Sequence, residues 1–145
     1  MKRIMAVDVG KKRIGIALSD PGRTLASPRG VVEAEDEGKA VEKLVEFISH
    51  WDVDTLVVGF PLTLRGEEGE QAKEVERFIA CLEKALKEAA LNVKLVRWDE
   101  RFSTAEAEVL LKEAGYNGYA RRSRIDAAAA AVILQSYLDS QNQGG

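Results

Sequence analysis

Two apolar stretches, "RIMAVDV" (Arg3–Val9) and "RIGIALS" (Arg13–Ser19), are separated by only Gly10, Lys11 and Lys12. So short a gap joins antiparallel neighbours, because a parallel partner needs a crossover of about a dozen residues or more. The spacing predicts a hairpin with its turn at Gly10. A third, weaker strand is expected within residues 24–33, after the "DPG" turn at 20–22. Then the period changes. Val41, Leu44, Val45 and Ile48 recur at helical spacing. "DTLVVGF" follows, a short apolar run between Asp54 and Pro61 that suits a parallel strand covered on both faces.

Beyond it, residues 59–69 read as a loop and 70–90 as a long helix, with Ala72, Val75, Ile79, Leu82 and Leu86 along one stripe. "NVKLVRW" is the next strand. A helix over 103–114 opens on the capping-box signature of Ser103 and Glu106, and residues 115–122 form a loop. The last helix spans about 124–139, with Ile125, Ala129, Val132, Ile133 and Ser136 on one side. Three meandering strands followed by helix–strand alternation predict an α/β fold. Its mixed five-stranded sheet has order 3-2-1-4-5, strand two antiparallel to strand one, and helices on both faces. No repeat or linker interrupts it, so residues 1–140 read as one domain and 141–145 as a frayed tail.

With 21 basic and 24 acidic residues the net charge is −3. The whole molecule therefore has no basic field for nucleic acid, and any grip on phosphate comes from local clusters. One cysteine, Cys81, leaves no intrachain disulfide and no cysteine-rich zinc site; it reads as a small buried residue of the long helix. "IMAV" is too short for a signal-peptide core, and no apolar run is long enough to span a membrane. The expected address is the cytoplasm.

In sheets of this kind ligands gather at the carboxyl ends of the parallel strands. Asp8 ends strand one, residues 59–61 end strand four, and Asp99, Glu100 and Arg101 end strand five. Asp126 lies in the first turn of the last helix. Asp8, Glu100 and Asp126 are expected to converge. Clustered carboxylates raise one another's pKa values unless a cation holds them, and an oxygen-only set favours Mg²⁺ or Mn²⁺. The single histidine, His50, ends a helix beside Trp51 and is a poor general base, so hydrolysis would rely on metal-activated water. Each acid also has a plainer reading. Asp8 could begin a turn with Gly10, Glu100 could pair with Arg97 or Arg101, and Asp126 could complete a capping box with Ser123 as N-cap. Asp20 and Asp99 read as turn or outlying residues. Basic residues surround the same end: Lys11, Lys12 and Arg13 in the hairpin, Arg101 beside Glu100, and Arg121, Arg122 and Arg124 before the last helix. Tyr116 and Tyr119 are interleaved among them and could stack on bases. Such a cluster either meets a phosphodiester or is a solvated face.

"AVDVGKKRIGIALSD", "DTLVVGFPLTLRGEEGEQA", "WDERFSTAEAE" and "RIDAAAAAVILQSYLD" resemble, in order, the four motifs of the YqgF (RuvX) family over nearly the whole chain. The resemblance implies a ribonuclease H-like fold related to RuvC resolvases. It also implies a bacterial cytoplasmic nuclease that matures the 5′ end of 16S rRNA from its precursor, with RNA and the pre-ribosomal small subunit as partners. The family's acids carry over to Asp8, Glu100 and Asp126. Arg65 stands before Gly66 where relatives often carry an acid or amide, adding a candidate phosphate contact. Arg122 and Arg124 keep the charge of a family lysine. Other readings are a resolvase-like endonuclease for branched DNA, a noncatalytic nucleic-acid-binding module and an ATP-clamping relative of actin and sugar kinases. A resolvase would need a two-fold dimer; the expectation here is a monomer or weak homodimer.

Overall fold

The hairpin forms where the spacing places it. A computed structural model describes residues 2–61, 66, 67, 69–100 and 122–143, with the side chains of 122–126 and 143 outside that set. Strands β1 (Arg3–Val9) and β2 (Arg13–Ser19) are antiparallel, with Val9 opposite Ile14. The Gly10 N–H donates to the Arg13 carbonyl at 2.9 Å, and a Cβ on Gly10 would lie 2.7 Å from that same oxygen, so only glycine fits this turn. Strand β3 (Ala26–Glu33) pairs antiparallel with β2 and shifts register between Ile16 and Ala17. It lies at the sheet edge, where Pro28 can be tolerated.

Helix α1 (Glu37–His50) starts at Asp36, whose side chain accepts the Lys39 N–H at 3.1 Å. Strand β4 (Val53–Phe60) pairs parallel with β1, and β5 (Lys94–Asp99) pairs parallel with β4. Helix α2 (Glu70–Glu88) connects them, and α3 (Arg122–Gln143) ends the described chain. The sheet order is β3-β2-β1-β4-β5, as the sequence predicts.

The two faces follow from the two-residue period of the strands. Met5 and Val7 of β1, Ile14, Ile16 and Leu18 of β2, and Leu56 and Val58 of β4 pack under α1 and α2. Ile4, Ala6, Ala17 and Val57 face the other way, under α3. That second layer is built from small groups, with Ala130 and Ala131 of α3 over Ala6, Ala17 and Ala26.

Several expectations change. β4 runs through Phe60, as the run "DTLVVGF" predicts, so the loop does not begin at Gly59. α3 runs on to Gln143, four residues past the expected end. Ile133 and Ser136 are buried as expected, together with Ala127, Ala130, Ala131, Leu134, Gln135, Tyr137 and Leu138, whereas Ala129 and Val132 are only half-buried and the side chain of Ile125 lies outside the described residues. A helix apolar nearly all round does not disclose its inner face through periodicity. Cys81 is exposed. It falls off the stripe that carries Ile79 and Leu82, and Phe78 fills the core position missed in the sequence. The helix expected over 103–114 and residues 115–121 of the expected loop lie outside the described residues, and Arg122, expected in that loop, is already helical. Among the described residues no helix is long and apolar enough to cross a membrane.

Candidate active site

Period-two alternation carries Asp8 to the α3 face, since it follows Ile4 and Ala6. Asp8 is a ladder residue opposite Gly15, not the start of a turn. On β5, Val96 and Trp98 pack on the α3 side and Glu100 comes next in the same alternation, directly after the strand. Trp98 meets Tyr137 of α3 edge-on, ring centroids 5.4 Å apart, which holds this end of β5 against the helix.

Asp8 and Glu100 thereby meet side by side, although 92 positions apart in the chain. Their carboxyl groups share a hydrogen bond, which needs one proton between them. The Glu100 carboxyl is pushed up to about 7, first by burial, then by the negative charge of Asp8, the shared hydrogen bond and the charge of Asp99. Arg97 lies on the strand position before Trp98. It points to the other face, where its guanidinium pairs with Glu76 of α2 (Nε to Oε2, 2.9 Å).

α3 is oriented with its start toward these acids. Near its far end Gln135 contacts Thr24 and Ala26, and Asn142 reaches Arg23, all at the opposite end of the sheet. Ile133 approaches Gly59 near the carboxyl end of β4. Asp126 lies two helical turns before Ile133 and on the same helix face, about 10 Å along the axis toward the Asp8 end. Its side chain is outside the described residues. The helix begins at Arg122, so Ser123 stands inside it and not at the N-cap. Among the described residues no three acidic, histidine or cysteine side chains are grouped to hold a metal; the described part of the site is the Asp8–Glu100 pair.

The basic residues divide. Lys11 lines a cleft of about 320 Å³ on the α1/α2 face, together with Glu74 and Arg77. Lys12 is exposed at the hairpin, and Arg13 is half-buried at the start of β2. Arg65, Arg101 and Arg121 lie outside the described residues, as do the side chains of Arg122 and Arg124. Tyr116 and Tyr119 are outside them too. His50 closes α1 just before β4 begins, at the opposite end of the sheet from Asp8. Asp20 is a turn residue that accepts the Thr24 and Leu25 N–H groups at 2.8 and 2.9 Å.

Sequence reasoning passed over Gly59 as a functional position. Its signal was a glycine inside an apolar strand, which marks close approach of another group. That group is the Glu100 side chain.

Residues 2–140 match the sequence profile of the RuvX family, described as "Holliday junction resolvase". A Roseiflexus protein named "Putative pre-16S rRNA nuclease" is 41% identical over 139 residues, 96% of this chain and 95% of its own. A protein of the same name from Dehalococcoides mccartyi is 43% identical over 134 residues, 92% of this chain and 96% of its own. Among solved structures, Thermus thermophilus RuvC in complex with Holliday junction substrate superposes with a TM-score of 0.64 at 16% identity, covering 97% of each chain. The yeast mitochondrial Holliday junction resolvase Ydc2 gives 0.61 at 11% identity, over 98% of this chain and 80% of its own. At those identities the likeness is one of fold: a RuvC-like, ribonuclease H-type sheet with helices on both sides.

Proposed function

The chain belongs to the RuvX family, and on that premise we propose that it is a divalent-metal-dependent endonuclease that hydrolyses phosphodiester bonds of precursor 16S rRNA. The observation that carries this reading is the meeting of Asp8 and Glu100 at the carboxyl ends of β1 and β5, with the Glu100 carboxyl pushed up to about 7. Two carboxyl groups forced to share a proton are poised to exchange it for a cation. Their donor atoms are all oxygens, which fits a hard ion such as Mg²⁺ or Mn²⁺. Asp8 and Glu100 would hold it, with Asp126 as the third ligand. Such an ion would lower the pKa of the attacking water and stabilise charge on the phosphoryl oxygens.

The remaining work falls to side chains of this chain. Lys12, Arg13, Arg65, Arg101, Arg121, Arg122 and Arg124 would neutralise phosphates so that a polyanion can approach an acidic centre, whereas Lys11 stands apart in the α1/α2 cleft. The overall negative charge keeps that attraction local and favours a substrate of defined shape over bulk nucleic acid. The names of the relatives support precursor 16S rRNA as the substrate, and maturation of the 16S 5′ end on the pre-ribosomal small subunit is the role that goes with it. A cytoplasmic monomer or weak homodimer suits it.

The family description favours a second reading, cleavage of a four-way DNA junction. Two symmetric cuts there require a two-fold dimer. One assay separates the two: precursor 16S rRNA and a four-way junction, each with Mg²⁺, Mn²⁺ or EDTA, using the wild type and Asp8→Asn. Metal-dependent cutting of the RNA alone, abolished in Asp8→Asn, is expected. Paired cuts in the junction with the RNA left intact would transfer the assignment to the resolvase reading, and cutting in EDTA would reject the metal.

A further inference from the structure

Gly59 has no conformational need to be glycine. It lies inside β4, opposite Trp98 of β5, and its φ is not in the left-handed region. Glycine weakens a strand and leaves nothing to pack, so its presence between Val58 and Phe60 calls for a spatial reason. A Cβ at this position would lie 2.7 Å from Ile133 Cδ1, 2.9 Å from Glu100 Oε1 and 3.4 Å from Glu100 Cγ. Two separate neighbours therefore occupy the space where a side chain would begin. Ile133 belongs to the core under α3, while Glu100 is half of the acidic pair.

We propose that Gly59 is a positioning residue: the missing side chain is what lets the Glu100 carboxyl lie across β4 and reach Asp8. Both crowded atoms are tips of flexible side chains, so an alanine here is accommodated by displacement and the strand survives. Ile133 can rotate within the core. The Glu100 tip must retreat by about 0.5 Å to regain ordinary contact distance, which is as much as a metal-binding or catalytic geometry tolerates. The effect on metal binding rests on the reading of Asp8 and Glu100 as ligands; the effect on carboxyl placement does not.

The test uses Ile133→Val as the reference, because it removes the core atom that opposes position 59. Gly59→Ala is then added. Thermal unfolding in EDTA, calorimetric titration with Mn²⁺ and a crystal structure of the metal-free double variant are compared with the reference. We expect a cooperatively folded protein, a Glu100 carboxyl displaced from Asp8, and Mn²⁺ affinity lowered about tenfold or more. A carboxyl that stays against Asp8 with alanine beside it, or unchanged Mn²⁺ affinity, overturns the proposal. If the reference binds Mn²⁺ no better than Glu100→Gln does, the ligand reading fails by itself, and the crystal structure still decides the role of Gly59. If the double variant does not fold, Glu100→Ala is added to it. Recovered folding supports the Gly59–Glu100 contact, and continued failure counts against it.

Discussion

Glu100 keeps its proton to about pH 7 because it is half-buried and faces Asp8, whereas an ordinary glutamate titrates at 4.5. A carboxyl whose folded-state value is raised stabilises the fold fully below its unfolded value and loses that contribution as pH rises through the folded one. In EDTA, the melting temperature of the wild type is therefore expected to fall between about pH 4.5 and pH 7, and Glu100→Gln is expected to flatten that segment. A wild-type slope unchanged in the variant would place the titration elsewhere. Asp126 divides two roles more sharply. As a ligand it adds like charge to the metal-free site, so Asp126→Asn should leave the protein in EDTA equally or more stable while Mn²⁺ affinity falls. A loss of about 1 kcal/mol in EDTA with RNA cutting retained would make it a structural residue of α3, since it lies beyond the first turn of the helix and not at its cap. At this scale the acids were legible as residue types at strand ends. The proton shared by Asp8 and Glu100 was not, since it arises only from their contact.

Among the elements, α3 depends on a residue that hydropathy would place outside. Gln135 is fully buried; its Oε1 accepts the Ala26 N–H at 2.9 Å, and its Nε2 donates to the Thr24 carbonyl and Asp139 Oδ1, each at 3.0 Å. These bonds pin α3 to the entry of β3 and so set the direction in which the helix start points toward Asp8. Gln135→Leu keeps the volume but leaves the Ala26 N–H and Thr24 carbonyl without this partner. The expected cost is about 1–3 kcal/mol, read from urea unfolding midpoints at constant m. A neutral result would mean that water or a shifted backbone replaces the glutamine. Periodicity located α1 and α2 well, because one face of each is polar. It placed only part of the inner face of α3, whose alanines are apolar on every side, and it let the loop begin at Gly59 although the apolar run "DTLVVGF" already carried the strand to Phe60. In the tertiary structure that glycine stays in the ladder and clears space above it.

For the whole molecule, a net charge of −3 means that binding to a polyanion must depend on where the cations stand. Replacing Arg121, Arg122 and Arg124 together with alanine is expected to weaken precursor RNA binding. The slope of log affinity against log salt should also fall, by about one unit for each phosphate that is no longer neutralised. An unchanged slope would return the three arginines to a solvated face. The structure separates the hairpin cation Lys11, which lines the α1/α2 cleft, from the acidic pair on the opposite face. The sequence had placed Lys11 among the basic residues around the end that carries the acids.

The sequence by itself determined the sheet. A three-residue gap admits only an antiparallel neighbour, and the later helix–strand alternation brings β4 beside β1; both are local properties of spacing and period. It also marked the acids, because a carboxylate at the end of an apolar strand has few uses. The tertiary structure alone decided which groups touch. Asp8 and Glu100 become partners because two parallel strands end at the same level and present alternate residues to the same face. Gly59 clears room for them because α3 and β5 both press on β4 at that point. Contact of this kind depends on distances between elements remote in the chain, and no local pattern encodes it.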